Sequence, residues 1–409
     1  MSQIFAENKI MIQRDRYLEI LKGLRDKNLI KVLTGVRRCG KSTVMQMYRD
    51  YLTEDGITSS QIVFLNFEDF ENHKWLSDLE GLYYHIVNQL DLSQKCYVFL
   101  DEVQQVKEFE RLVDGLYVKP NIDVYVTGSN AYLLSSELAT LLTGRYISIH
   151  ILPFSFKEYV SAFDDKSRTD LLFNRFLKNG GMPGTLEIQE DFIEKYLLDI
   201  YTNILQKDIM VRNRWHKENN FENIVKFMLD AAGSSLSSNN IAGVLKNEGY
   251  RISHHTVDNY LQALTETYLF YKVPRYDIKG KNILRTLEKY YTVDLGFKQA
   301  LLGKSHKTDF GHNLENVVYL ELFRRNRQVY IGKADRTEMD FAVMTNRGDW
   351  EYIQVAWTAK EESTFQREMR PFELINDFNR RILLTTDVEP VTTYKGIQKI
   401  NVIDWLLEE

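Results

Sequence analysis

The segment Gly35-Val36-Arg37-Arg38-Cys39-Gly40-Lys41-Ser42 fits G-x-x-x-x-G-K-[ST], and its setting constrains the fold more than any other feature of the chain. Upstream, Leu29-Ile30-Lys31-Val32-Leu33-Thr34 is a short apolar run that stops at Gly35. Downstream, Val44, Met45, Met47, Tyr48, Tyr51 and Leu52 recur at helical spacing. A strand, a glycine-bounded turn and a helix in that order form a phosphate cradle. Glycine lets the backbone curl until successive N–H groups point inward at phosphate oxygens. The helix adds the positive end of its dipole. The candidate nucleotide-binding residues are therefore Gly35, Val36, Arg37, Arg38, Cys39, Gly40, Lys41, Ser42 and Thr43. Lys41 is a point charge for the β- and γ-phosphates, and the Ser42 hydroxyl is a ligand for Mg²⁺. Cys39 is read as a small residue tolerated in the loop.

Three more apolar runs follow. Gln61-Ile62-Val63-Phe64-Leu65-Asn66, Cys96-Tyr97-Val98-Phe99-Leu100-Asp101 and Val124-Tyr125-Val126-Thr127 are separated by helix-period segments. Strands apolar on both faces and alternating with helices predict a parallel sheet covered on both sides. Asp101 closes the second of these runs and is the expected Mg²⁺ ligand, with Glu102 beside it as the general base for the attacking water. Thr127-Gly128-Ser129-Asn130 ends the next strand, and Asn130 is the candidate for orienting that water or sensing the γ-phosphate; the other reading is ordinary turn chemistry. Arg145 follows a helix and a glycine. It is a candidate arginine finger, in cis or across a subunit boundary, which would need a homo-oligomer; the other reading is a surface arginine that starts a strand.

Composition sets the outer limits. The chain has 409 residues, 44% hydrophobic and 27% charged, so bulk disorder is excluded. A net charge of −5 argues against a whole-chain polycation that coats nucleic acid, while leaving room for a local basic patch. Cys39 and Cys96 are too few for a disulfide framework and lack zinc spacing. No run approaches the roughly 20 apolar residues of a membrane span. The amino-terminal residues carry charges where a signal peptide needs an apolar stretch, so the expectation is a cytoplasmic protein without membrane partners.

Past Pro153 the pattern becomes mostly helical, interrupted at Gly180-Gly181-Met182-Pro183-Gly184. Residues 240–249 and 253–264 read as helix, glycine turn and capped helix, with Leu269–Val273 and Tyr290–Val293 as wing strands. The expected division is a P-loop ATPase domain over 1–155, a helical lid or linker over 156–220, a winged-helix-like module over 221–295 and an α/β region over 296–409.

The strings LTGVRRCGKST, FLNFED, YVFLDEVQ, VTGSN and ELATLLTGRYISIHILPFSFKEYV resemble the AAA+-type P-loop ATPases of bacteria and archaea that carry a C-terminal winged-helix plus nuclease-like domain of unknown function. The resemblance runs over nearly the whole chain. It implies ATP as the nucleotide, and it gives Lys41, Ser42, Asp101, Glu102, Asn130 and Arg145 the Walker A, Walker B, sensor and arginine roles.

The last region resembles a PD-(D/E)XK nuclease core, with Glu315 on a helix, Asp340 on a strand, and Gln354 and Ala356 on the next. Gln354 stands where that pattern has its second acid, and Ala356 where it has its lysine. Lys360 lies beyond the strand. The expectation is a silent nuclease-like fold, since Mg²⁺ favours anionic oxygen and the Lys charge is lost. On the wing, Lys272, Arg275, Lys279, Lys281, Arg285 and Lys289 oppose Asp277 and Glu288. Two readings stand: this stripe tracks a nucleic-acid backbone, or it is a solvated hairpin on a structural connector. His254 and His255 are adjacent, so on a helix their side chains should diverge by about 100° and share no metal. The functional expectation is ATP hydrolysis driving a conformational switch. The alternatives are a nucleic-acid-binding module in defence or genome maintenance that uses ATP structurally, and a protein-partner scaffold.

Overall fold

The structure, a computed structural model, describes residues 11–129, 144–210, 213, 219–250, 252–303 and 309–408. They fall into two compact units: Met1–Pro153 with Glu266–Tyr268, and Phe154–Thr265 with Leu269–Glu409.

The first unit is built on a parallel sheet of β1 (Ile30–Thr34), β2 (Ile62–Asn66), β3 (Cys96–Asp101), β4 (Ile122–Gly128) and β5 (Tyr146–His150), in the order β2-β3-β4-β1-β5. Every residue of β1, β3 and β4 is buried, which is why these strands are mostly apolar on both faces rather than alternating; of the exceptions, Lys31 and Asp123 pair with each other. Helices α1 (Asp15–Leu24), α2 (Lys41–Glu54), α3 (Leu79–Val87) and α4 (Phe109–Tyr117) supply its helical layers. One face of the core gathers Val63, Leu82, Ile86, Val98, Leu112, Leu116 and Val124. The strand order has a consequence for chemistry. Because β4 lies between β1 and β3, its carboxyl end stands between the loop after β1 and the acids after β3.

The second unit carries a nine-stranded mixed sheet of β6 (Ser235–Leu236), β7 (Phe270–Asp277), β8 (Asn282–Thr292), β9 (Gln328–Ala334), β10 (Thr337–Met344), β11 (Trp350–Ala356), β12 (Arg380–Thr385), β13 (Thr392–Tyr394) and β14 (Ile397–Asn401). The order is β13-β14-β12-β11-β10-β9-β7-β8-β6. The strands of the expected wing and those of the last region thus share one sheet, joined where β7 runs parallel to β9. Helix α5 (Asn219–Asp230) precedes β6; α6 (Ser238–Asn247) and α7 (His254–Glu266) follow it. Helix α8 (Leu295–Leu302) comes after β8, α9 (Phe310–Arg324) precedes the antiparallel set β9-β10-β11, and α10 (Glu362–Glu373) leads to β12, which runs parallel to β11. The β9–β10 register shifts between Met339 and Ala342, a bulge at Asp340. Among the described residues no helix is long and apolar enough to cross a membrane.

Candidate functional site

The turn after β1 has the backbone that a phosphate cradle needs. Gly35 sits at φ 144°, and a Cβ there would lie 2.2 Å from the Ile151 carbonyl oxygen, so only glycine fits. Gly40 is left-handed at φ 103°, and Arg38 holds a positive φ of 67° with an exposed side chain. Arg37 pairs with Glu68 at 3.1 Å. Val36 and Cys39 are buried; the Cys39 thiol donates to the Ile151 carbonyl at 3.1 Å, and burial pushes its pKa up rather than down. This cysteine packs the loop from below. Thr43 is exposed on the first turn of α2.

Lys41 is 4% exposed; its ammonium donates to the carbonyls of Gly35 at 3.1 Å and Val36 at 3.3 Å and stands 3.7 Å from the Glu102 carboxylate. Asp101 is fully buried. Its Oδ1 accepts the Thr127 hydroxyl at 2.5 Å, and Oδ2 has no hydrogen-bond partner among the described residues. Burial raises its pKa, opposed first by Thr127 and then by Ser42. Glu102 is left-handed, φ 54° and ψ 45°, a conformation that costs about 1–3 kcal/mol for a residue with a Cβ and turns its side chain off the strand end. Its Oε2 accepts the Gln104 amide at 2.5 Å.

The sequence reading thus brings Gly35 to Ser42, Asp101 and Glu102 to one sheet edge. Asn130 lies outside the described residues. Arg145, the candidate finger in cis or across a subunit boundary, lies at the opposite end of the strands from the phosphate loop. It precedes Tyr146, which pairs with Ile30 at the amino end of β1, whereas the loop follows Thr34, which pairs with His150. Five residues of extended strand, about 16 Å, separate the two levels. Arg145 is half-exposed and bonds to Asp114 at 2.6 Å.

Sequence reasoning passed over several residues here. Arg14, 2% exposed, donates to the Cys39 carbonyl at 3.2 Å and the Leu152 carbonyl at 2.7 Å, holding the loop to the chain after β5. Nothing in the sequence marks it beyond an arginine just before a helix. Thr127 and Ser129 had a signal: polar side chains at the end of a buried strand. Ser129 is 2% exposed, and among the described residues neither its hydroxyl nor Gln104 Oε1 has a hydrogen-bond partner. Buried polar groups are nearly always paired, and an orphan costs about 1–3 kcal/mol. Asp101 Oδ2, Ser129 Oγ and Gln104 Oε1 lie on residues at or just past the carboxyl ends of β3 and β4. Such a donor set fits a triphosphate and a divalent cation.

The second group of acids is arranged differently. The Lys289 ammonium, 4% exposed, lies 2.8 Å from both Glu315 and Glu338. Tyr291 donates to Glu315, and Asp340 accepts the Val355 N–H at 2.8 Å. Gln354 accepts the Asp340 N–H and donates to Glu368 at 2.9 Å. Burial pulls the Lys289 pKa down, but Glu315, Asp340 and Glu338 outweigh it and leave the group above its ordinary value. Lys360 stays exposed, so the ammonium among these acids comes from β8 and not from beyond β11.

Four of the six wing cations meet acids. Lys272 pairs with Glu288 at 2.7 Å, Arg275 with Glu338 at 3.5 Å, Lys279 with Asp335 at 3.4 Å, and Lys289 is buried. The expected stripe for a nucleic-acid backbone had omitted Glu338 and Asp335, which come from the strand and turn across the sheet. The rings of His254 and His255 also approach to 4.5 Å between centroids instead of diverging, because the pair opens α7, directly after the Ser253 cap.

Residues 27–160 match a family described as an AAA domain, and residues 170–308 match a domain of unknown function, DUF8612. An uncharacterized protein of Haemophilus influenzae is 38% identical over 405 residues, covering 98% of this chain and 100% of that protein. An uncharacterized protein of Methanocaldococcus jannaschii is 28% identical over 422 residues, 98% of this chain and 89% of that one. A Walker-type ATPase of Pyrococcus abyssi superposes with a TM-score of 0.50 at 13% identity, over 71% of this chain and 96% of that chain, a likeness of fold alone. The amino-terminal unit is an AAA+ P-loop domain, and the chain belongs to the family of the Haemophilus protein.

Proposed function

We propose that this protein is an Mg²⁺-dependent ATPase that uses hydrolysis to switch the conformation of its carboxyl-terminal unit. The observation that carries the reading is the set of buried polar atoms without partners beside Lys41 and Glu102. The loop amides from Gly35 to Ser42 bind phosphate oxygens, and Lys41 exchanges its two carbonyl partners for the β- and γ-phosphates. Ser42 and Asp101 would hold Mg²⁺, which supplies charge neutralisation on the transferred phosphoryl group. Glu102, aimed by its left-handed backbone, takes the proton of the attacking water. Ser129 is the described polar group closest in sequence to Asn130, and the two share the sensing role.

Arg145 serves across a subunit boundary in this reading, because its place at the amino end of β5 removes it from its own phosphate loop. The functional unit is then an oligomer. For the second unit we propose a winged-helix-like fold over 221–295, supported by the order α5, β6, α6, α7, β7, β8. Over 296–409 we propose a nuclease-like fold, supported by α9, three antiparallel strands, α10 and a parallel strand. It is catalytically silent in this reading. Gln354 and Ala356 replace the acid and the lysine, and an ammonium already neutralises Glu315 and Glu338.

Turnover of ATP with and without Mg²⁺ tests the proposal. Lys41→Ala should abolish nucleotide binding or turnover, and Glu102→Gln should bind ATP but stall. Mixing inactive Lys41→Ala subunits with Arg145→Ala subunits should restore turnover, since each hybrid interface can join an intact loop to an intact arginine; the arginine alone is worth about 10³–10⁵ in rate. Wild-type turnover by Lys41→Ala sinks the ATPase reading. Full activity of Arg145→Ala alone sinks the shared site.

A further inference from the structure

The buried hydroxyl of Thr127 touches both residues of the acidic pair at once. We infer that Thr127 is the positioning residue that sets Asp101 for metal binding and fixes the turn that aims Glu102; the inference rests on the ATPase reading above.

Thr127 lies on β4, paired with Leu33 of β1, and is fully buried. Its Oγ1 accepts the Glu102 N–H at 2.8 Å and donates to Asp101 Oδ1 at 2.5 Å. The direction of both bonds is forced. A backbone N–H can only donate, so the single hydroxyl proton is left for the carboxylate. One side chain therefore satisfies the first residue of the turn and one oxygen of the acid. With Oδ1 engaged, Oδ2 is the oxygen of Asp101 without a partner. The hydroxyl also anchors Glu102 at the point where its backbone enters the left-handed region, φ 54°. A β-branched residue suits the task, because its χ1 is restricted and the hydroxyl keeps its aim. Placement on the strand between β1 and β3 ties the acid's position to the strand that leads into the phosphate loop.

The test compares full-length wild type with Thr127→Val, Thr127→Ser and Thr127→Cys, measuring ATP turnover against Mg²⁺ concentration together with thermal melting. Thr127→Val should raise the Mg²⁺ concentration for half-maximal turnover at least about tenfold and lower kcat by about 10–100-fold, with KM for ATP within about twofold of wild type. Thr127→Ser should recover most of both losses. A purely structural role would lower the melting temperature but leave the Mg²⁺ requirement unmoved below it. Should Thr127→Val not fold, Thr127→Cys replaces it: a weak donor of similar size must still raise the Mg²⁺ requirement. Wild-type Mg²⁺ dependence and kcat in Thr127→Val, or in Thr127→Cys when it stands in, overturn the inference while the ATPase reading stands. Absence of turnover by wild type overturns both.

Discussion

Two groups of buried or half-buried acids in this chain are finished in opposite ways. Asp101 and Glu102 close β3 among polar atoms that have no partner among the described residues: Asp101 Oδ2, Gln104 Oε1 and Ser129 Oγ. Glu315, Glu338, Asp340 and Glu368 are each met by a cation, a hydroxyl, an amide or a backbone N–H. Both arrangements bury charge, which is costly unless it is paired and hydrogen-bonded. The second recovers that cost internally. The first leaves part of it standing, as a site does when a ligand completes it. A sequence pattern of acids at strand ends does not separate the two. The identity of the nearest cation does: Lys41 leans on carbonyls at the edge of the sheet, whereas Lys289 is inserted among carboxylates.

The sharpest way to break this contrast is to remove the inserted cation. Lys289→Met should destabilise the second unit by about 3–5 kcal/mol, because the buried Glu315 carboxylate then has no cation beside it, while the partly exposed Glu338 keeps Arg275. Adding Glu315→Gln should return part of the loss, and ATP turnover per folded molecule should be unchanged. Calorimetry of the full chain measures the first, a coupled assay the second. A Lys289→Met protein as stable as wild type would mean that the cluster is open to water and is not the closed network described.

Asp101→Asn should do the reverse. Turnover should fall about 100-fold, some 2.7 kcal/mol of transition-state stabilisation, while thermal stability holds or rises. The rise is expected because a neutral amide no longer buries a carboxylate whose pKa burial already raises. A large loss of stability in Asp101→Asn would erase the distinction between the two acid groups and make both structural.

How much of this was legible beforehand follows the range of the interactions. The loop, β1, α2 and the Asp101–Glu102 pair were readable because each is local: an apolar run, a glycine that alone fits its φ, a helix period. The wing's charge balance was only partly legible because two acids that face it, Glu338 and Asp335, lie some 50–60 residues further on. Arg14 was passed over and Lys289 was read as one of the wing cations for the same reason, as both act on residues distant in sequence. Arg145 could be identified but not placed, since only the parallel register of β5 with β1 shows at which edge it starts. The glycines at 180–184 were read as a turn, but the reason Gly180 must be glycine is remote: a Cβ there would lie 1.7 Å from Asp294 Oδ1.

That carboxylate is an intermediate case between the two acid groups. Asp294 is buried and receives the N–H groups of Gly181 at 2.6 Å and Gly296 at 2.8 Å. Burial pushes its pKa up to about 7, opposed by the backbone donors of Gly181, Gly296 and Met182. A folded-state pKa above the ordinary carboxylate value means that the native protein holds this proton more tightly than the unfolded chain. The stabilisation from proton binding is therefore present in acid and is lost as pH climbs through about 7. Between pH 5 and 7 the loss from this one group should be on the order of 2 kcal/mol. Urea melts at the two pH values should show it in wild type, and Asp294→Asn, though less stable throughout, should lack that slope. Equal slopes in the two proteins would mean that the backbone donors hold Asp294 ionised at both pH values, which would move it to the side of the internally completed acids.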